Sequence, residues 1–277
     1  MTVHVGLASG AGAVIVSDSQ GSTPTSESHG LQKQIVGDGF VIGVAGAMSI
    51  VTAILRHVHE TNCPAADAQA VVEQFTRDRI RASAYGQFGA LAGTSAPTNQ
   101  IASFNPAVFT SFDQPARFGT IGSGAEFVGI ALREAEELGF SIQGAELVDL
   151  LFQALRFADA ANRSLTVDDQ LAVGIVRGGK AYALWDARIG TRFVDARLLQ
   201  HVPHISATLA DLRARVATLR GELVNAVRAT SAIWNGPLDA SKRATLDLAA
   251  LSIAHSKTEL AGALDAYFNW YDGILGR

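Results

Sequence analysis

Cysteine is almost absent. Cys63 stands alone among 277 residues, which rules out an intrachain disulfide framework and suits a reducing compartment. Lysine is nearly as scarce: of the 22 basic residues only Lys33, Lys180, Lys242 and Lys257 are lysines, and the rest are arginine. A chain that supplies positive charge as arginine invites a specific reason for a lysine early in the fold. No basic cluster occurs and the net charge is −4, so neither nucleic acid nor a membrane surface is an expected partner. No apolar run approaches the length of a bilayer span, and the start of the chain lacks the basic and long apolar regions of a signal peptide. The expectation is a cytoplasmic protein. Metal-ligand spacing is missing too. His57 and His59 flank Val58 on a predicted helix and point apart, and His201 and His204 have no evident third ligand. The Gly10-Ala11-Gly12 segment lacks the lysine and the strand-to-helix setting of a phosphate loop. No metal and no cofactor is expected.

What the chain has is apolar patterning, with 48% hydrophobic residues, enough for a sizeable core. Residues 3–8 and 13–17 read as short strands around the turn Ser9-Gly10-Ala11-Gly12, and Gln34–Val36 and Phe40–Ala45 as a second hairpin through Gly37-Asp38-Gly39. Helical spacing follows from Ser49 to His59 and, after Pro64, to about Arg81, with Val71, Val72, Phe75 and Ile80 on one face. Within the Gly, Ala, Ser and Pro-rich stretch 83–116, Ile101–Phe104 and Val108–Phe112 read as a third hairpin. Arg117–Ile121 reads as a buried strand, 125–138 and 143–161 as helices, and Leu171–Val176 and Ala181–Trp185 as strands joined at Gly178-Gly179. Strands and helix pairs come in clusters rather than one for one. That order argues against a parallel βαβ sheet and for an α+β class, a four-layer α/β/β/α sandwich of antiparallel sheets with helix pairs outside.

Beyond about residue 198 the pattern changes. Ile205, Leu209, Leu212, Val216, Leu219, Leu223 and Val227 follow near-heptad spacing, Asn235-Gly236-Pro237 breaks it, and helical patterning resumes from about Ala240 to Tyr271. Two domains are expected, 2–198 and a C-terminal helical extension over 199–277. The extension is an interface candidate or simple intrachain packing; spacing does not choose between them.

A hydroxyl residue stands in position two, before the first strand. Removal of Met1 leaves Thr2 with a free α-amine, whose reference pKa of roughly 7.7–8.0 lets it act as a base at neutral pH. Nucleophile and base then share one residue. Position two alone is a weak sign, because threonine there is common.

Further residues join it. Thr2-Val3-His4-Val5-Gly6-Leu7, Val14-Ile15-Val16-Ser17-Asp18, Lys33 with Asp38 and then Ile42-Gly43-Val44-Ala45-Gly46, and Thr120-Ile121-Gly122-Ser123-Gly124 occur in that order. Together they resemble the proteasome β-subunit family of N-terminal-nucleophile hydrolases over about residues 2–186. The lysine arrives one residue early, which a shorter loop within 23–32 absorbs. The resemblance implies that Thr2 attacks the scissile carbonyl, with Lys33 near its hydroxyl and amine and Asp18 holding the lysine. It further implies that the Gly46 backbone N–H donates to the oxyanion and that Ser123 hydrogen-bonds around the amine. Gly21 and Ser22 would edge the substrate cleft, and Val44 and Met48 would line the first specificity pocket, taking a medium apolar side chain.

One loop departs from the family. Asn162-Arg163-Ser164-Leu165-Thr166-Val167-Asp168-Asp169 offers Thr166 in place of the family's serine but no aspartate three residues ahead of it. It looks more like the bacterial proteasome-related branch called Anbu, and it leaves Ser164 and Thr166 as lesser candidates. The activity implied is peptide or amide hydrolysis by a self-assembling homo-oligomer, ring or helical, on peptide or protein substrates. An ATPase partner is not specified by the sequence. Transpeptidation, hydrolysis of a non-peptide amide and an inactive structural subunit remain alternatives.

Overall fold

The two short apolar runs at residues 3–8 and 13–17 form a hairpin. β1 (Val3–Ser9) pairs antiparallel with β2 (Gly12–Asp18), His4 opposite Ser17 and Ser9 opposite Gly12. A computed structural model describes residues 3–23, 26–95, 98–109, 111–162, 169–233 and 237–277, with backbone alone at 21–23, 26, 27 and 232. Next come β3 (Gly21–Thr23) and β4 (Ser26–Ser28), a small hairpin of their own, then β5 (Gln34–Val36) and β6 (Phe40–Gly46). Helices α1 (Met48–Thr61) and α2 (Ala68–Arg79) precede β7 (Phe88–Thr94), β8 (Gln100–Phe104) and β9 (Phe118–Gly122). A second helix pair, α3 (Ala125–Glu137) and α4 (Leu147–Ala161), leads to β10 (Leu171–Arg177) and β11 (Lys180–Trp185).

The strands form two main antiparallel sheets, ordered β11-β10-β2-β1-β9 and β5-β6-β7-β8. They face each other, with α3 and α4 against the first and α1 against the second. This is the four-layer α/β/β/α arrangement that the element order implied.

Both faces of the central strands are buried, so side-chain parity decides the layer each residue joins. On β6, Phe40, Ile42 and Val44 enter the core beneath α1 and α2, while Val41 joins the apolar cluster of Ile15, Leu91 and Ile101 between the sheets. On β1, Ser9 reaches toward the α4 side, its hydroxyl donating to the Ala145 carbonyl at 2.7 Å, and Ala8 faces the other sheet. The residues of β1 on the inter-sheet side are therefore His4, Gly6 and Ala8. Small residues let the sheets approach: a Cβ on Gly6 would press on Leu91 and Ile101, and one on Gly174 would land on Gln34 and Val41.

One expected hairpin is corrected. Ile101–Phe104 is a strand, but its partner is β7, with Ala92 opposite Ala102, and none of the described residues between Val108 and Phe112 is in a strand. Phe88-Gly89-Ala90-Leu91-Ala92-Gly93-Thr94 has little intrinsic β-preference. It becomes a strand because β6 and β8 flank it and take up its backbone hydrogen bonds. Residues 105–109, including exposed Val108 and Phe109, form turns held by bonds to Asn105.

The chain divides into two compact units, Met1–Ser206 and Ala207–Arg277. Short α5 (Ala196–Leu199) lies in the first, and the boundary falls inside α6 (Val202–Ile233). The second unit is a helical hairpin of the rest of α6 and α7 (Ala240–Leu275). Leu209, Leu212, Val216 and Leu219 of α6 and Leu260 and Leu264 of α7 are buried, whereas Leu223 is half-buried and Val227, expected on the same stripe, is exposed. Antiparallel register shows in the Ser252 hydroxyl donating to Glu222 at 2.7 Å and in Arg215 facing Glu259 at 3.7 Å. Helix α7 starts at a capping Asp239, whose carboxylate accepts from the Lys242 N–H at 2.8 Å.

Two glycines give opposite expectations. Gly174→Ala pushes a methyl into Gln34 and Val41 between the sheets and is expected to cost about 1–3 kcal/mol. Gly129→Ala, inside α3 with open space around it, is expected to stabilise by about 0.5–1 kcal/mol. Urea unfolding of both variants checks the pair.

Candidate active site

The expected nucleophile, Thr2, lies outside the described residues, as do Ser164 and Thr166. What stands beside Thr2 in the chain is described fully. Val3, the first residue of β1, donates its backbone N–H to Asp18 Oδ1 at 2.8 Å. Asp18 ends β2, and its carboxylate also accepts from Lys33 Nζ at 3.3 and 3.4 Å and from the Gln20 N–H at 3.2 Å. Lys33 donates in turn to the Gln20 carbonyl. The two charged side chains are at most 1% exposed. Asp18 and Lys33 are thus brought together as expected; the part played by the Gln20 backbone was not evident beforehand.

Lys33 lies outside any strand, so its placement rests on the segment before it. The Leu31 N–H donates to the Ser19 carbonyl at 3.0 Å and the Gly30 N–H to Ser19 Oγ at 3.1 Å, while Ser19 Oγ donates to Gln170 at 3.2 Å. Gly30 has φ of +70°, and its carbonyl accepts from the Gly190 N–H at 2.8 Å. The Phe193 N–H donates to the Gln32 side chain at 2.9 Å, and the Val44 N–H to the Lys33 carbonyl at 2.9 Å. Every residue from 30 to 33 is tied to another part of the fold. A lysine with four rotatable side-chain bonds is aimed by the chain that carries it.

Gly46 ends β6 just before α1. The Val44 N–H points to the Lys33 side of β6 and the Ala47 N–H to the Gln87 carbonyl on the β7 side, so alternation directs the Gly46 N–H toward the Lys33 side. Its φ is +130°, and an added Cβ would meet the backbone of Gln87 and Phe88, which leaves glycine as the residue that fits. Helix α1 begins two residues later with no acidic residue in its first turn, so the positive end of its dipole is not neutralised locally. Negative charge developing beside Gly46 is favoured.

Ser123 follows Gly122, which pairs with Val3 across β1 and β9, so the register sets it at the start of β1. Gly21 lies in β3, opposite Ser28, and Ser22 faces Glu27 in the backbone pairing. Met48 is half-buried at the head of α1, and Val44 is enclosed in the core beneath that helix.

Rival chemistry finds little support. Cys63 is buried, and burial pushes its thiol up, which makes it a poor nucleophile. His57 stacks on Phe75 at 4.7 Å while His59 faces Phe193 at 6.0 Å, so the two rings point to different neighbours as expected. Among the described residues no group of three or more His, Cys, Asp or Glu could hold a metal ion, and no helix is long and apolar enough to cross a membrane.

A solved structure of an Anbu (Gly-1) mutant from Hyphomicrobium sp. strain MC1 is similar to this chain with a TM-score of 0.55. The match covers 76% of this chain and 94% of that one at 16% identity. The chain has the N-terminal-nucleophile hydrolase fold. No protein family and no curated protein matches the sequence. At that identity the likeness speaks for the fold alone, and the site rests on its own geometry.

His4 was not anticipated as part of the site. It is fully buried beside Gly43, where any other residue's Cβ would collide with the ring. Burial first, and the nearby Lys33 charge second, hold its pKa down to about 3, against a smaller opposing effect of the Val44 backbone. The signal available in the sequence was parity: a histidine on a strand face that otherwise carries glycine and alanine.

Two measurements test this account. Lys33→Met leaves Asp18 buried without its cation and is expected to cost about 3–5 kcal/mol, most of it recovered in the Asp18→Asn/Lys33→Met double variant, whose amide oxygen can still accept from Val3. Acid sensitivity tests His4. Its folded pKa lies below the ordinary 6.5, so the unfolded chain binds the extra proton and stability falls as pH drops from about 6.5 toward 3. In that window this one group contributes up to about 1.4 kcal/mol per pH unit, and His4→Asn is expected to flatten the slope by that amount in urea titrations.

Proposed function

We propose that the protein is an N-terminal threonine hydrolase that cleaves peptide or amide bonds through an acyl-enzyme on Thr2 after Met1 is removed. The observation that carries this reading is the buried Asp18–Lys33 pair, whose carboxylate also holds the N–H of Val3, the residue bonded to Thr2. A buried ion pair tied to the start of the first strand gives no evident packing advantage over apolar residues of similar size. Next to an N-terminal hydroxyl amino acid it has a use: a fixed positive charge favours the alkoxide and the uncharged amine.

In this mechanism the Thr2 hydroxyl gives its proton to its own α-amine as Oγ attacks the carbonyl carbon. The oxyanion accepts from the Gly46 N–H at the positive end of α1, and Ser123 orders the amine and the incoming water. Collapse of the intermediate passes the proton from the ammonium to the leaving amine and leaves an ester on Thr2. Water then attacks the ester as the amine again takes a proton; collapse breaks the bond to Oγ, which takes that proton back, and the acid is released. Gly21, Ser22 and Met48 are the proposed substrate contacts, with Val44 packed in the core behind them rather than lining the pocket, and Thr166 the proposed outer support of the amine. Peptide or protein is the proposed substrate, and a closed or helical homo-oligomer the proposed assembly.

Intact mass spectrometry with a threonine-directed epoxyketone or β-lactone tests the reading. The expected mass lacks Met1 and gains one adduct, which Thr2→Ala abolishes and Lys33→Ala slows by about 100-fold or more. A chain that keeps Met1 and takes no adduct would sink the proposal.

A further inference from the structure

Beneath the Asp18 cluster lies a second set of polar groups with no part in the mechanism above. The His4 ring meets Ser17 Oγ, and the Ser17 hydroxyl donates to Gln34 Oε1 at 2.7 Å. A hydroxyl has one proton to give, and Ser17 gives it to Gln34. Ser17 Oγ must therefore accept from His4, which places the imidazole proton on Nδ1 and leaves Nε2 with its lone pair. Among the described residues that buried nitrogen has no hydrogen-bond partner. An unsatisfied buried polar atom costs about 1–3 kcal/mol, on a strand face where the neighbouring positions are glycine and alanine.

Its three members are the sequence neighbours of the three groups joined at the site. His4 follows Val3, Ser17 precedes Asp18 and Gln34 follows Lys33. The first set ties Val3, Asp18 and Lys33 together. The second repeats the tie one residue deeper, between the sheets, with Gly43 clearing space for the ring and Gly174 for the Gln34 amide.

We propose that His4 is a positioning residue: its Nδ1–H, passed through Ser17 to Gln34, sets the spacing of β1, β2 and β5 and thereby the placement of Lys33 against the N-terminal residue. Catalysis at such a site is sensitive to shifts of about 1 Å. The inference rests on the reading of Thr2 as nucleophile, and it reaches the reaction only through Lys33.

Three variants separate the hydrogen bond from the bulk of the ring. His4→Asn keeps an N–H donor near the Nδ1 position, His4→Leu removes it at similar volume, and Ser17→Ala breaks the chain at its middle with the smallest change. The first readout is the 13Cε and 15Nζ NMR signal of Lys33, one of only four lysines in the chain and assigned with Lys33→Arg. It is expected to move in His4→Leu and Ser17→Ala and to return in His4→Asn. The second is the labelling of Thr2 by the β-lactone: about a tenfold or greater fall in the maximal rate for the two broken variants, with the inhibitor constant within about twofold and His4→Asn close to the parent. If the parent is not labelled at all, the nucleophile reading fails while the Lys33 signal still decides the role of His4. An unmoved Lys33 signal in folded Ser17→Ala, or a folded His4→Asn as altered as His4→Leu, overturns the inference.

Discussion

The buried contact between Asp18 and Lys33 is the constraint around which this unit is organised. Two charges at most 1% exposed must be matched to each other and to backbone groups, because an isolated buried charge costs several kcal/mol. The matching is tight on the carboxylate side: Asp18 accepts from Lys33, from the Gln20 N–H and from the Val3 N–H. It therefore links the first strand, the end of the second and the segment before β5. Those segments belong to different sheets, so the pair fastens the sandwich at the end where the chain begins.

Glycine placement follows from that fastening. Gly43 and Gly174 lie where the two sheets approach through His4 and Gln34, and Gly46 where β6 must turn into α1 against the backbone of Gln87 and Phe88. A Cβ would collide with the His4 ring at Gly43, with Gln34 and Val41 at Gly174 and with neighbouring backbone at Gly46. The chemistry proposed for the site depends on the same economy of volume, because an oxyanion donor must be approached closely by its substrate.

Much of this was legible in the chain. Short apolar runs bounded by turn residues mark β1, β2, β6, β10 and β11, whose two faces are both largely buried, and 3.6-residue spacing marks α1 to α4. Lys33 stood out because the chain elsewhere prefers arginine. β7 was missed because its residues are small rather than β-branched, and their strand conformation is imposed by neighbours distant in sequence. His4 was missed for a related reason: a lone histidine next to valines looks the same whether its ring meets solvent or a serine 13 residues away.

Sequence by itself determined the class of fold, the order of its layers, a C-terminal helical hairpin and the candidacy of Thr2, Asp18 and Lys33; the start of the second compact unit at Ala207 came from the structure. Local patterns carry that information, since periodicity and residue type are properties of short windows. Tertiary structure alone decided that Asp18 and Lys33 meet, that the Val3 N–H completes their cluster and that His4, Ser17 and Gln34 form a parallel chain below them. Those contacts join residues 13 to 17 positions apart across two sheets, and their geometry exists only once both sheets have packed.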